Sequence, residues 1–169
     1  SLGIPFLVVE DYEADDVIGT LAKRFRDDIE VWIVTGDKDM QQLVTERVKI
    51  FDPKKDQEIG LDGVADKFGC RPEQVIDVLG LMGDSSDNIP GVPGVGPKKA
   101  STLIAKYGSI EGIYEHLDEV RGPKLQQNLA DNREQAELSR TLATIETEVP
   151  LDLTLDDLAL VFPPADQER

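Results

Sequence analysis

The sequence predicts an α/β fold, a parallel-sheet core followed by a helical region, and three observations predict it. From Pro5 to Phe51, short apolar β-branched runs alternate with helically spaced segments, the pattern of strands joined by right-handed crossovers. After Phe51 the strand pattern gives way to one helical segment after another. Between two of these lies a glycine–proline stretch, Gly91-Val92-Pro93-Gly94-Val95-Gly96-Pro97, which reads as a rigid hairpin.

Taken in order, Pro5 to Val9 is expected to be a strand buried on both faces. Ala14 to Phe25 has helical spacing, with Val17, Leu21, Ala22 and Phe25 on one stripe. Val31 to Thr35 reads as a second strand, Met40 to Val44 as a short helix and Val48 to Phe51 as a third strand, with Gln57 to Gly60 pairing beside it. Leu61 to Phe68 and Pro72 to Met82 are helical, the latter turning Val75, Ile76 and Leu79 inward. Pro97 opens a helix carrying Ala100, Leu103 and Ile104, and Ser109 is placed to cap Ile110 to Leu117. Gly122-Pro123 begins another helix, and Arg133 to Thr144 follows through Ala136, Leu138, Leu142 and Ile145. Val149 to Arg169, with prolines at 163 and 164, reads as a surface segment fraying into a linker. The expected division is a sheet core over 1–60, a helical region over 61–148 and a tail over 149–169.

Composition narrows the function. A net charge of -16 argues against nucleic acid when taken alone, yet Asn88 to Ile110 contains no acid and carries Lys98, Lys99 and Lys106. The single cysteine, Cys70, excludes an internal disulfide and fits a reducing compartment, hence a cytoplasmic location. No apolar run reaches membrane-spanning length. Because Ser1-Leu2-Gly3 leads straight into a strand pattern, a fragment of a longer protein is expected. Trp32 and the other aromatics read as core.

Three acidic groups follow successive elements. Glu13, Asp15 and Asp16 open the first helix, Asp37 and Asp39 follow the second strand, and Asp84 and Asp87 lie three apart where one helical turn would aim both the same way. Loops after parallel strands share one edge of a sheet, where ligands bind. Asp37 and Asp39 in an extended turn can aim at one point while Lys38 aims away. Unaided, so many converging carboxylates would repel and raise one another's pKa values, and a hard cation such as Mg²⁺ or Mn²⁺ relieves the conflict. Cys70 and His116 stand alone, so no zinc ligand set exists. Each acidic group also has a bland explanation as helix cap, turn or solvated face, and spacing alone does not choose.

The hairpin likewise admits two readings, a rigid loop or a phosphate-binding turn. Gly91 and Gly96 have the separation of a P-loop, but Pro97 stands where its lysine must be, which excludes triphosphate binding. What remains is a turn whose N–H groups meet phosphate at the amino end of the Pro97 helix, with Lys98 and Lys99 adding charge. Metal-binding acid beside phosphate-binding backbone is the adjacency that phosphodiester cleavage requires. No Gly-x-Ser-x-Gly elbow and no oriented Cys–His pair offers other chemistry.

Three stretches carry a resemblance: Tyr12-Glu13-Ala14-Asp15-Asp16-Val17, Thr35-Gly36-Asp37-Lys38-Asp39-Met40-Gln41-Gln42-Leu43 and Leu81-Met82-Gly83-Asp84-Ser85-Ser86-Asp87-Asn88-Ile89-Pro90-Gly91-Val92-Pro93-Gly94-Val95-Gly96. In this order they resemble the 5′-nuclease (5′-3′ exonuclease) domains of bacterial DNA polymerase I, within the flap endonuclease family. The resemblance runs from about Gly3 to Leu158. It implies a PIN-like α/β core and a helix–three-turn–helix (helix–hairpin–helix) motif over about 72–107. It implies two divalent ions, Mg²⁺ or Mn²⁺, with Glu13, Asp15, Asp16 and Asp37 as catalytic ligands nearest one, and Asp39, Asp84 and Asp87 shaping the second. It also implies duplex-backbone binding by Gly91, Val92, Gly94, Val95, Gly96, Lys98 and Lys99, with K⁺ held by hairpin carbonyls. The implied substrate is branched or 5′-ended DNA, and the implied setting is a monomeric bacterial enzyme of replication and repair with a polymerase domain following. That family's first strand, which bears a metal-binding aspartate, and its basic arch are not in this sequence, so the expected core is incomplete. A duplex-binding module without catalysis and a PIN-type RNase are the competing readings.

Overall fold

Val48–Asp52 (β2) carries the sheet because its side chains alternate, Val48, Ile50 and Asp52 facing the interior. The computed structural model describes residues 4–160. Among these, β2 pairs in parallel with Val31–Val34 (β1), Val31 opposite Val48, and antiparallel with Gln57–Ile59 (β3), Ile50 opposite Ile59. The sheet is therefore small and mixed, in the order β1-β2-β3. Buried Asp52 shapes the turn into β3, its carboxylate accepting the Lys54 and Lys55 N–H groups at 3.0 and 3.3 Å. The crossover from β1 to β2 is a single 3-10 turn, Asp39–Leu43.

Pro5 to Val9 is not a buried strand. It runs as irregular chain with Phe6 and Val8 88% and 76% exposed. A strand forms only when a neighbour satisfies its backbone groups, and the segment pairs with none of the described strands. Trp32 and Val34 share one face of β1, opposite buried Ile33, and stand exposed at 40% and 66% rather than in the core.

Ala14–Phe25 (α1) buries Val17, Ala22 and Phe25, and Ala22 joins the core that holds Ile33 and Ile50 of the sheet. After β3 the chain forms Leu61–Phe68 (α2), Val75–Met82 (α3) entered through a 3-10 turn at Pro72–Gln74, Pro97–Tyr107 (α4) and Ile110–Glu115 (α5). Ser109 caps α5 as expected, its hydroxyl accepting the Gly112 N–H at 3.2 Å. The last two helices are Pro123–Asp131 (α6) and Arg133–Ala143 (α7). One apolar core joins sheet and helices, running from Ile33 and Ile50 through Val78 and Leu81 to Ile104 and Leu129.

α3 and α7 form the central pair. Their backbones approach so closely that a Cβ on Gly80 would lie 2.8 Å from Arg140 Cβ and 3.1 Å from the Ala136 carbonyl. Only small side chains fit such a seam, so α7 buries Ala136, Ser139 and Ala143. Leu138 and Leu142, part of the apolar spacing that marks this helix in the sequence, are turned outward to 54% and 58% exposure. Within α3, buried Asp77 accepts the Arg140 guanidinium at 3.2 Å and the Ile110 N–H at 3.3 Å, tying α3, α7 and α5 together.

The segment after α7 is docked rather than free. Ile145 crosses α1 at Gly19, where a Cβ would lie 2.8 Å from the isoleucine methyl. The Val149 N–H donates to Thr20 Oγ1 at 3.1 Å, Arg24 Nη1 donates to the Leu151 carbonyl at 2.8 Å, and Val149 is buried. The part of the expected linker beyond residue 160 lies outside the described residues. No described helix is long and apolar enough to cross a membrane.

Candidate metal centre and nucleic-acid interface

Glu13, Asp15 and Asp16 stand at the amino end of α1, where acids complement the positive end of the helix dipole. Asp16 also has a structural task, since its Oδ2 accepts the Glu13 N–H at 3.2 Å and its Oδ1 the Glu146 N–H at 2.9 Å. Beyond β1, Thr35 Oγ1 accepts the Asp37 N–H at 3.0 Å and Asp37 Oδ1 accepts the Asp39 N–H at 2.9 Å. These side-chain turns bend the chain into the Asp39–Leu43 turn. Gln42 anchors that turn, its amide donating to the Asp39 and Ala143 carbonyls at 2.9 Å while its oxygen accepts the Ile145 N–H at 3.0 Å.

Asp84 and Asp87 do not share a helical turn. α3 ends at Gly83, and residues 84–89 close on themselves through paired bonds, Asp84 N–H to the Ile89 carbonyl at 2.8 Å and the reverse at 2.7 Å. The loop is possible because Gly83 and Gly91, both at positive φ, cross backbone against backbone. A Cβ on Gly91 would lie 2.3 Å from the Gly83 nitrogen.

Glu13, Asp15, Asp16, Asp37, Asp39 and Asp87 line one cleft of about 370 Å³. Asp84, buried, lies beneath it, and one oxygen each from Asp39, Asp84 and Asp87 come within 4.8 Å of one another. The three acidic groups read from the sequence thus converge. The opposite wall is the end of α7 and its continuation, Leu142 to Ile145. Sequence reasoning missed that wall, because Leu142 has the spacing of a core residue and nothing local marks its neighbours. Lys38 does not aim away. Its ammonium lies in ion-pair contact with Asp84 Oδ2, without the alignment of a hydrogen bond.

The charges are in conflict. Burial, then the neighbouring Asp37, pushes the Asp39 carboxyl up to about 6. Asp15 is raised by burial and then by Asp37, Glu13, Asp16 and Asp87, and Asp87 by burial and Asp84. For Asp84, burial works against the charge, but the Lys38 ammonium and the Ser86 N–H outweigh it and hold the carboxyl below its usual range. Asp39 Oδ1 is buried with no hydrogen-bond partner. An oxygen-only donor set with an unpartnered buried carboxylate oxygen and mutual repulsion fits a hard divalent cation.

The hairpin separates into buried and open parts. Gly91, Val92 and Val95 are buried, and their N–H groups bond internally, to Ser139 Oγ at 3.1 Å, the Leu81 carbonyl at 2.7 Å and the Val92 carbonyl at 3.0 Å. Gln135 donates to the Gly91 carbonyl and Asn128 to the Pro93 carbonyl, so α6 and α7 clamp the turn from behind. Gly94, Gly96, Lys98 and Lys99 are exposed at the amino end of α4, with Lys99 Nζ donating to the Gly94 carbonyl at 2.8 Å.

A small mixed sheet with an acidic cleft, joined to a helical hairpin region, is the arrangement that comparison with known proteins places. Residues 1–69 match the family described as 5′-3′ exonuclease, N-terminal resolvase-like domain, and residues 70–167 match 5′-3′ exonuclease, C-terminal SAM fold. The chain belongs to the 5′-3′ exonuclease family. The DNA polymerase I of Pseudomonas aeruginosa is 51% identical over 166 residues, a match covering 94% of this chain and 18% of that protein. A mutant T5 5′-exonuclease superposes with a TM-score of 0.77 at 28% identity, covering 85% of this chain and 59% of the other. The bacteriophage T5 flap endonuclease, in a pseudo-enzyme-product complex with DNA and metal ions, gives 0.76 at 27% identity over 83% and 53%. The chain spans less than a fifth of the polymerase relative and somewhat more than half of each phage protein.

Proposed function

We propose that this chain supplies the metal-binding cleft and duplex grip of a metal-dependent 5′-nuclease that hydrolyses phosphodiester bonds in branched or 5′-ended DNA. The observation that carries the reading is the convergence of Asp39, Asp84 and Asp87 at a cleft that Glu13, Asp15, Asp16 and Asp37 also line. These residues would hold Mg²⁺ or Mn²⁺, two ions in the full reading, supplying charge to activate water and stabilise the phosphoryl oxygens. Lys38 would steady Asp84, and Gln42 would fix the Asp39 turn against the end of α7. The exposed N–H groups of Gly94 and Gly96, with Lys98 and Lys99, would hold duplex backbone without reading its sequence. The T5 complex named for DNA and metal ions supports both parts. K⁺ at the hairpin, a monomeric state, a polymerase domain following in the whole protein and a bacterial cytoplasmic setting belong to the same reading. So does the division near residue 60.

Calorimetric titration with Mn²⁺ tests the metal site. The parent chain is expected to bind the ion, and the Asp39→Asn, Asp84→Asn double variant to bind it at least tenfold more weakly. Mn²⁺ should also raise the melting temperature of the parent, since it binds only the folded form. Because the folded Asp39 pKa is raised, its charge costs stability above the unfolded value near 4 and nothing below it. Metal-free protein should therefore lose stability from about pH 4 to beyond 6, and Asp39→Asn should flatten that slope. Equal Mn²⁺ binding by parent and double variant overturns the metal reading.

The hairpin is tested by anisotropy with a labelled duplex. Lys98→Ala, Lys99→Ala should weaken every sequence about equally. Unchanged affinity, or loss for some sequences only, would remove the hairpin as a phosphate grip.

A further inference from the structure

α4 carries a basic stripe that starts at the hairpin and runs on beyond it. Lys98, Thr102 and Lys106 recur every four residues and form one stripe, about 12 Å long at 1.5 Å per residue. The Thr102 hydroxyl donates to the Lys98 carbonyl at 2.7 Å. Lys106 Nζ donates to the Tyr107 hydroxyl at 2.6 Å and stands 4.4 Å from the centre of that ring, which holds the ammonium against the helix. Beside the stripe lies an open groove of about 560 Å³. Its floor is apolar, made by buried Leu103 and Val120 with partly buried Leu125. Arg121, exposed on the link between α5 and α6, also lines it. Among the described residues no carboxylate lines the groove, in a chain whose net charge is -16.

We infer that this groove carries the sugar–phosphate backbone of duplex DNA onward from the hairpin, with Lys106 and Arg121 as phosphate contacts, an assignment that rests on the DNA-binding reading above. A nucleic-acid strand alternates anionic phosphates with carbon-rich sugars, and a cation-lined groove with an apolar floor matches both. An acidic peptide would match the charge, but the groove begins at Lys98, the residue that also flanks the open hairpin N–H groups. One strand can therefore pass from one to the other without a break. The contacts are to backbone, so they position the duplex and leave its sequence unread.

The test compares the parent, Lys98→Ala/Lys99→Ala and Lys106→Ala/Arg121→Ala for binding a labelled blunt duplex across a salt series. The substituted side chains are exposed, and circular dichroism checks that each variant is folded. The Lys106/Arg121 variant is expected to bind about tenfold more weakly at 0.1 M salt. Its log–log salt slope should fall by about 1.8, two contacts at 0.9 each. If that variant binds like the parent with the same slope while the Lys98/Lys99 variant is weakened, the groove assignment fails and the hairpin reading stands. If the parent binds no duplex, both fail. A labelled poly-glutamate peptide that binds the parent more tightly than duplex, and loses its binding in the Lys106/Arg121 variant, would give the groove to an acidic protein partner and overturn the assignment.

Discussion

Replacing Gly91 with alanine is expected to remove more than about 4 kcal/mol of stability, the range reached when a core or backbone clash cannot relax. The new Cβ would lie 2.3 Å from the Gly83 nitrogen, 2.5 Å from the Met82 carbonyl carbon and 2.7 Å from the Gly83 Cα. All three are main-chain atoms at the end of α3, where no side chain can swing aside. The φ of +61° adds strain for any residue with a Cβ. Since domains of this size carry only about 5–15 kcal/mol in total, the variant should be largely unfolded or should lose the hairpin from its seat. Gly96→Ala is the control, because nothing lies within 4 Å of that Cβ and its φ is -92°. It should stay within about 1 kcal/mol of the parent. Urea unfolding measures both, and a Gly91 variant as stable as the control would refute the backbone crossing.

The second large effect is expected at the buried ion pair. Arg140→Leu strips Asp77 of its cation and leaves a buried carboxylate held by the Ile110 N–H alone, which should cost about 3 kcal/mol. Asp77→Leu should cost less, because Arg140 keeps Glu111 and reaches solvent. The double variant Asp77→Leu/Arg140→Leu should recover most of the loss, since well-packed apolar side chains replace buried pairs at little cost. Burial already raises the Asp77 carboxyl, with the Ile110 N–H and Arg140 offsetting it only in part. Loss of Arg140 raises it further, so the Arg140→Leu deficit should be largest near neutrality and shrink towards pH 4, where Asp77 takes up its proton. A deficit that grows on acidification, or a double variant worse than Arg140→Leu alone, would contradict this account.

The helices and both internal strand pairings were legible because their signals are local. Pro97, Ser109 and Gly122-Pro123 mark starts through backbone chemistry that needs no tertiary context. The carboxylates were legible as a set for a related reason, since each follows an element whose end is set by the same local rules. The failures are all non-local. Pro5 to Val9 has the composition of a buried strand, but composition cannot supply the neighbour that a strand requires. Leu138 and Leu142 obey the period of a core-facing stripe, and only the close seam at Gly80 turns them out. Lys38 was expected to follow strand alternation away from its flanking aspartates. The Asp37 side-chain turn breaks that alternation and swings it onto Asp84. In the hairpin, Val92 and Val95 look like any turn residues in sequence, and their burial depends on α6 and α7 packing behind them.

The segment that drapes over α1 has a consequence for how the chain comes into being. Glu146 bonds Asp16, Val149 bonds Thr20 and Leu151 bonds Arg24, partners more than a hundred residues apart. A ribosome makes α1 early and the strap late, at about 5–20 residues per second. For the seconds between, α1 leans chiefly on β1 and the Asp39–Leu43 turn among the described residues, and the acidic side chains of its first turn lack the wall that Leu142 to Ile145 later provide. Among the described residues the cleft is thus late to close, completed only once residues 145–151 have emerged and docked on α1.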